Sequence, residues 1–252
     1  MSRKCLIAAA GVVLMLAISA HGATVTFPAQ NVASGVSWAG DYNNVTQDLY
    51  LEVGGTATSQ SQLSTQLRFD VSSLNGLYGS INSVTIRLRQ GVVQSRNPGT
   101  AYAYRLTPAN ANWTTGATWN HKIAASSTDW AGGHTGGTTL GTDYVNTLLG
   151  SVNYNPSSPV GTIWDLVIPG AAATTFMNQW TTGGTNEGFL LIAPSTNGDN
   201  RGLFAPTGAN APQLIVDYAV LQPEDIPEPA TMALLGLAAT GLGGYLRRRR
   251  TA

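Results

Sequence analysis

The chain has 252 residues, 13 basic and 13 acidic side chains, and a formal net charge of zero at pH 7. The balance is uneven, because six of the bases lie close to the termini, whereas residues 24–218 hold seven bases and ten acids, a net charge of −3. A charge-poor, slightly acidic region has no basic surface to attract nucleic acid, which excludes a nucleic-acid partner.

The first 23 residues have the organisation of a secretory signal peptide. A positive start precedes an apolar run over residues 5–18 and a short stretch of small and polar residues. We expect cleavage after Gly22 or Ala23; the alternative is a retained N-terminal anchor, for which the apolar run is short. The single cysteine, Cys5, lies in this segment, so the mature protein has no disulfide, catalytic thiol or thiolate metal site.

Residues 24–219 have the pattern of β-strands within one domain. Val84, Ile86 and Leu88 alternate with polar residues and are predicted to face inward. Six further segments have the composition of strands: 48–53, 67–71, 101–106, 163–168, 187–193 and 213–218.

Two of these segments, 163–168 and 189–192, are apolar enough to be buried on both faces. Alternation in 101–106 places Tyr102, Tyr104 and Leu106 on one face.

One soluble helix is predicted, over residues 169–180. Pro169 suits a helix start, Phe176 and Trp180 are one turn apart, and Gly183 ends the segment. Many short strands with one short helix predict an all-β fold, an antiparallel jelly-roll-like β-sandwich with the helix capping one end. Residues 107–162 are predicted to be a large loop with two short strands.

The C-terminal 26 residues have three parts. Pro227, Glu228 and Pro229 are followed by an uncharged stretch, 230–246, which as a helix would be about 25 Å long and is predicted to be a single transmembrane helix. Four arginines follow, which are expected to stop on the cytoplasmic side: Arg247, Arg248, Arg249 and Arg250. Residues 220–226 are a linker.

This arrangement resembles the PEP-CTERM sorting signal of Gram-negative bacteria. The resemblance implies an exported protein that is transiently anchored in the inner membrane with its C-terminus in the cytoplasm. It also implies an exosortase-type membrane protease as a partner, which cleaves near Pro227–Pro229 and releases the domain to the cell surface or extracellular matrix. The alternative is an ordinary C-terminal membrane anchor.

A second resemblance covers residues 24–219. The segments 67–74 (LRFDVSSL) and 81–88 (INSVTIRL), followed by 113–119, 186–191 and 212–218, are similar to DNRLRE-type domains, a family of carbohydrate-binding modules. This resemblance implies a jelly-roll β-sandwich that binds acidic or mixed polysaccharide.

The candidate sugar-binding residues are Trp38, Tyr42 and Trp130, because each lies among glycines and small polar residues. Aromatic faces pack against the C–H groups of a sugar ring. A tryptophan among glycines either anchors its loop or faces solvent, and both alternatives stay open. The other four tryptophans after the signal peptide are more typical of a core: Trp113, Trp119, Trp164 and Trp180.

Metal binding and catalysis have little support. Asp41 and Asp129 could ligate Ca²⁺, but no carboxylate run has ligand spacing, so we expect no metal site and no cofactor. His121 and His134 belong to no catalytic motif. Asp165 is expected to be a structural acid that accepts hydrogen bonds from backbone amides rather than a general acid.

We therefore expect a non-enzymatic protein of the cell surface or exopolysaccharide matrix whose domain binds extracellular polysaccharide. The alternatives are a purely structural matrix or envelope protein without sugar affinity and, third, a polysaccharide-cleaving enzyme with two carboxylates across a groove.

Overall fold

The computed structural model describes residues 22–36, 51–55, 62–132, 141–193 and 201–221. The predicted signal peptide before Gly22, Trp38, Tyr42 and the whole sorting segment 227–252 lie outside these residues. No helix among the described residues is long and apolar enough to cross a membrane.

The described residues form twelve strands and one α-helix. In chain order they are β1 (Gly22–Val36), β2 (Leu51–Gly55), β3 (Gln62–Phe69), β4 (Tyr78–Arg89), β5 (Gly99–Arg105), β6 (His121–Ile123), β7 (Thr128–Asp129), β8 (Gly150–Tyr154), β9 (Ile163–Pro169), α1 (Gly170–Thr181), β10 (Phe189–Ile192), β11 (Gly202–Phe204) and β12 (Gln213–Val220).

Strand β1 is shared by two antiparallel sheets. Its first half pairs with β12, its second half pairs with β3, and the register shifts between Ala29 and Asn31, where the strand passes from one sheet to the other. The first sheet has the order β1–β12–β4–β9 and the second β1–β3–β10–β5–β8, with β2 pairing with β3 and β11 pairing with β2. The mostly β architecture with one helix confirms the all-β prediction; the jelly-roll connectivity stays a prediction.

Apolar residues of both sheets meet in one core. Val84, Ile86 and Leu88 of β4 are buried, which confirms the inward face predicted from their alternation. The second sheet contributes side chains such as Leu67 and Phe189 to the same cluster. Burial of these large side chains is the main driving force for closing the two sheets on each other.

Helix α1 covers one end of this core, as predicted, with each boundary shifted by one residue. It begins where the backbone is tightly packed: a Cβ at Gly170 would lie 2.6 Å from the carbonyl oxygen of Asn82, so only glycine fits. Phe176 and Trp180 contact each other with ring centroids 4.7 Å apart, and both rings also contact Phe189.

The region predicted as a large loop forms a layer over the outer face of the second sheet. Trp113 and Trp130 pack there in a second apolar cluster with Leu106, Ala33 and Leu190. The layer contains the short β6–β7 hairpin and two 3-10 turns, and the strand β8 follows it. We call residues 107–132 and 141–149 the covering layer.

Arg68 ties the covering layer to the second sheet. Its terminal nitrogens donate to the carbonyl oxygens of Ala111 and Trp113, both at 2.5 Å, and its guanidinium lies 4.8 Å from the Trp113 ring centroid. Burial lowers the pKa of Arg68. Asp70 does not pair with Arg68 and instead accepts hydrogen bonds from Ser72.

The prediction that 163–168 is buried on both faces is wrong, whereas the same prediction for 189–192 is largely confirmed. Phe189, Leu190 and Leu191 are all buried, because β10 lies between the core and the covering layer. In β9 burial alternates, and Ile163 and Val167 are about half exposed, because β9 is the last strand of a sheet whose outer face is open.

Candidate ligand-binding site

A cleft opens beside helix α1 at the edge of the second sheet. Residues 144–149 run along β5 at this edge: the Val145 amide donates to the Arg105 carbonyl oxygen and the Leu149 amide to that of Ala103, both at 2.9 Å. The cleft has a volume of about 340 Å³, within the range of small-ligand sites. Its lining comprises Arg105, Val145, Thr147, Leu149, Ala172, Thr175 and Phe176.

A fully buried carboxylate lies next to the cleft's only cation. Glu187 accepts a hydrogen bond from Trp180 Nε1 to its Oε2 at 2.8 Å, and its Oε1 lies 3.2 Å from Arg105 Nε. The Oε1 contact is an ion pair without hydrogen-bond alignment, since no donor is aimed at this buried atom. A carboxylate can be buried only with such compensation, so Glu187 and Arg105 depend on each other.

Arg105 keeps much of its binding capacity for a ligand. Its side chain is 22% exposed, and within the described residues Glu187 is its only polar side-chain contact, made through Nε. The two terminal nitrogens of a guanidinium form a planar fork that matches a carboxylate or another oxyanion. Arg105 is therefore placed to bind an anionic group in the cleft.

The rest of the cleft combines apolar walls with hydroxyl groups. Val145 and Ala172 are partly exposed and offer apolar surface to C–H groups, while the buried side chains of Leu149 and Phe176 lie behind them. Thr175 Oγ1 donates to the Ala172 carbonyl oxygen at 3.0 Å and retains acceptor capacity, while Thr147 is exposed. One cation, two hydroxyls and an apolar wall suit a ligand that is both acidic and partly apolar, as a sugar acid is.

The opposite face of β5 carries a group of tyrosines. Tyr102 and Tyr104 are half-buried, and the Tyr104 ring centroid lies 5.0 Å from that of Tyr144. Burial, with smaller contributions from Tyr104 and Asp143, raises the pKa of Tyr144. Tyr102, Tyr104 and Leu106 share a face as predicted, while the alternate residues Ala101 and Ala103 enter the core.

Trp130 is not an exposed sugar platform, and this sequence prediction needs correction. Its side chain is only 2% exposed, it packs in the second apolar cluster, and its Nε1 donates to the Thr118 carbonyl oxygen at 3.1 Å. Of the two alternatives for a tryptophan among glycines, Trp130 anchors its loop. Trp38 and Tyr42 lie outside the described residues, so their role stays a prediction. The tryptophans assigned to the core are all buried: Trp113, Trp119, Trp164 and Trp180.

Two acidic candidates, Asp129 and Asp165, have protein partners, and Asp41 lies outside the described residues. Asp129 Oδ1 lies 2.8 Å from His121 Nδ1, and the described residues contain no cluster of three or more His, Cys, Asp or Glu that could hold a metal ion. Asp165 is bonded by Arg87 at 2.8 and 2.7 Å, not by backbone amides as predicted. Asp165 lies on the exposed outer face of the first sheet, where it contacts Arg87 and solvent. It lies there because alternate residues of the edge strand β9 point away from the core.

The Arg105–Glu187 pair was not found from the sequence. Arg105 follows the alternating segment that contains the tyrosines, and Glu187 precedes Gly188, whose φ of +82° and close approach to Leu67 require glycine. The sequence feature that could have indicated this pair is a carboxylate next to such a glycine at the start of an apolar strand.

Comparison with known proteins identifies the C-terminal segment. Residues 225–250 match the model of the PEP-CTERM protein-sorting motif, which includes Pro227–Pro229 and the arginine cluster. The motif indicates an exported protein that is processed by exosortase and is transiently anchored through its C-terminal segment. A search of the curated proteins found no match. The resemblance of residues 24–219 to DNRLRE-type domains stays a prediction.

Proposed function

We propose that this exported exosortase substrate binds acidic polysaccharide without cleaving it, and that the cleft lined by Arg105 takes the carboxylate of one sugar residue. The observation that carries the proposal is the Arg105 guanidinium, which is held by a buried carboxylate on one side and lines a cleft on the other. After processing, the protein resides at the cell surface or in the extracellular matrix. Before processing, its arginine cluster lies on the cytoplasmic side.

The ion pair with Glu187 supports this function because it fixes the direction of Arg105. A side chain that is already ordered loses less conformational entropy when a ligand binds. The apolar wall then packs against the ring C–H groups, and Thr147 and Thr175 contribute hydroxyl partners. A long polymer carries many identical sugar residues, so modest affinity for each becomes strong retention when several copies of the protein bind one chain.

The test is binding of the secreted protein to alginate, which carries one carboxylate per residue, compared with the uncharged polymer dextran. We expect retention of the protein on alginate in affinity electrophoresis and at least a tenfold loss of affinity in Arg105→Gln. The matched control is Arg87→Gln, which removes an arginine from the outer face of the first sheet and should bind as the wild type does.

A second variant separates binding from folding, because Arg105→Gln also removes the partner of Glu187. Thr147→Tyr narrows the cleft and leaves the ion pair in place, so it should weaken binding without lowering the thermal midpoint. Wild-type affinity in both variants would contradict the proposal. Absence of binding to every polysaccharide tested, with loss of matrix cohesion when the protein is deleted, would favour the purely structural alternative. Release of new reducing ends or unsaturated products would favour the enzyme.

A further inference from the structure

Both targeting segments are attached to the same end of the domain. Gly22, at the start of β1, pairs with Ala219 near the end of β12, and the Leu221 amide donates to the Leu77 carbonyl oxygen at 3.2 Å. We call this surface, formed by residues 22–24, 76–80 and 218–221, the tether end. The segment that carries the sorting motif leaves the domain there.

The processing protease meets this end at short range. Five residues separate Leu221 from Pro227, and even a fully extended chain covers only about 20 Å between the two. The strand before the linker cannot be released to extend the reach, because β12 lies between β1 and β4 and is paired along both edges. The protease therefore acts close to a folded surface.

The tether end presents two exposed leucines. Leu77 is 50% exposed and Leu221 is 49% exposed. The Leu221 side chain lies over Gly79, where an added Cβ would be 3.4 Å from its Cδ2. Exposed apolar side chains that adjoin each other typically mark a contact with a partner rather than with water.

The charge of this end favours a protein over a lipid surface. Segments 22–28, 76–82 and 217–221 contain no lysine or arginine, and their only charged residue is Asp217, which accepts a hydrogen bond from Asn82. Surfaces that bind anionic lipids depend on clustered basic residues, which these segments lack.

We propose that the tether end is a docking surface for the membrane protease that processes the sorting motif, with Leu77 and Leu221 as its apolar contact. Docking holds the folded domain in one orientation while Pro227–Pro229 occupies the protease, and it raises the effective concentration of the cleavage segment. This inference depends on sorting by exosortase and is independent of the proposed sugar binding.

The test measures processing of the full chain by pulse-chase labelling in cells that contain the protease. The double variant Leu77→Ser, Leu221→Ser should be processed at least threefold more slowly than the wild type. The matched control is Val93→Ser, Val160→Ser, which removes two equally exposed apolar side chains beyond the far end of β4 and should be processed at the wild-type rate. Equal rates for the wild type and the leucine variant would overturn the proposal.

Three further measurements keep the interpretation specific: thermal unfolding, processing after a linker insertion, and binding to lipid vesicles. The released leucine variant should keep the wild-type thermal midpoint; a large fall would assign the slower processing to unfolding and would overturn the docking role. An insertion of twelve Gly/Ser residues after Leu221 should slow processing and remove the difference between wild type and leucine variant, because docking no longer positions the cleavage segment. Faster processing after the insertion would show that the domain obstructs the protease. If the leucine variant loses binding to lipid vesicles but is processed at the wild-type rate, the tether end contacts the bilayer and not the protease. Either result would overturn the proposal.

Discussion

The outer faces of the two sheets differ in what covers them. The outer face of the second sheet is buried by the covering layer through Trp113 and Trp130, whereas the outer face of the first sheet carries the exposed Arg87–Asp165 pair. The charges differ as well: beside the second sheet, Glu187 is fully buried between Arg105 and Trp180 of helix α1, whereas the open face of the first sheet keeps its charges in water. The covering layer has a border beside helix α1, and the cleft lies at that border.

The comparison is tested most strongly by Trp113→Ala. Trp113 is fully buried, donates through Nε1 to the Glu187 carbonyl oxygen at 2.8 Å and contacts Arg68, so its removal should lower the free energy of unfolding by about 4 kcal/mol. Urea unfolding measures this change. Val167→Ala removes a half-exposed side chain from the open face and should cost less than about 1 kcal/mol. Equal losses of unfolding free energy in the two variants would mean that the covering layer does not extend the hydrophobic core.

The buried ion pair should be the next most sensitive feature. Glu187→Ala leaves Arg105 without its partner and Trp180 Nε1 without an acceptor, so we expect a loss of about 3 kcal/mol. Glu187→Gln keeps an acceptor for Trp180 and should recover part of this loss. Chemical denaturation of both variants checks the order. A Glu187→Ala protein as stable as the wild type would show that the pair does not hold the cleft together.

The exposed ion pair should have the smallest effect. Hydrogen bonding to Asp165 raises the pKa of Arg87, but both side chains are partly solvated, so Asp165→Asn should cost at most about 1 kcal/mol. The cost should shrink further as salt screens the pair. Unfolding in low and high salt measures it. A loss as large as that of Glu187→Ala, or one that salt leaves unchanged, would remove the distinction between the two faces.

Alternation and apolar composition predict β3, β4, β5, β9, β10 and β12 of the two sheets, whereas β1, the strand that both sheets share, was not predicted. Val84, Ile86 and Leu88 were placed correctly because β4 has one buried and one solvated face. Helix α1 was placed correctly because its aromatic pair and flanking residues act locally. Strand β9 lies where it was predicted, but its burial on both faces was predicted wrongly, because Ile163 and Val167 are apolar yet exposed and only the position of β9 in the sheet explains this.

The candidate site was harder to predict because its parts meet only in the folded protein. Arg105 and Glu187 lie far apart in the sequence, and neither segment carries a catalytic or metal-binding motif. Trp130 was misassigned for a related reason: glycines around an aromatic residue permit both a solvent-facing and an anchoring conformation. Which of these forms depends on whether the rest of the covering layer offers a cluster to join, as it does here.

The pairing of β1 with β12 has a kinetic consequence. The two strands come from opposite ends of the domain, so their contact closes the longest loop that the domain contains, and folds dominated by such non-local pairs form slowly. Because β12 lies between β1 and β4, the first sheet has a gap at its centre until β12 arrives. The domain can therefore complete its core only after residue 220 has crossed the membrane. Until then β1 and β4 present unpaired edges, a state that is prone to aggregation and that export must keep short or protect.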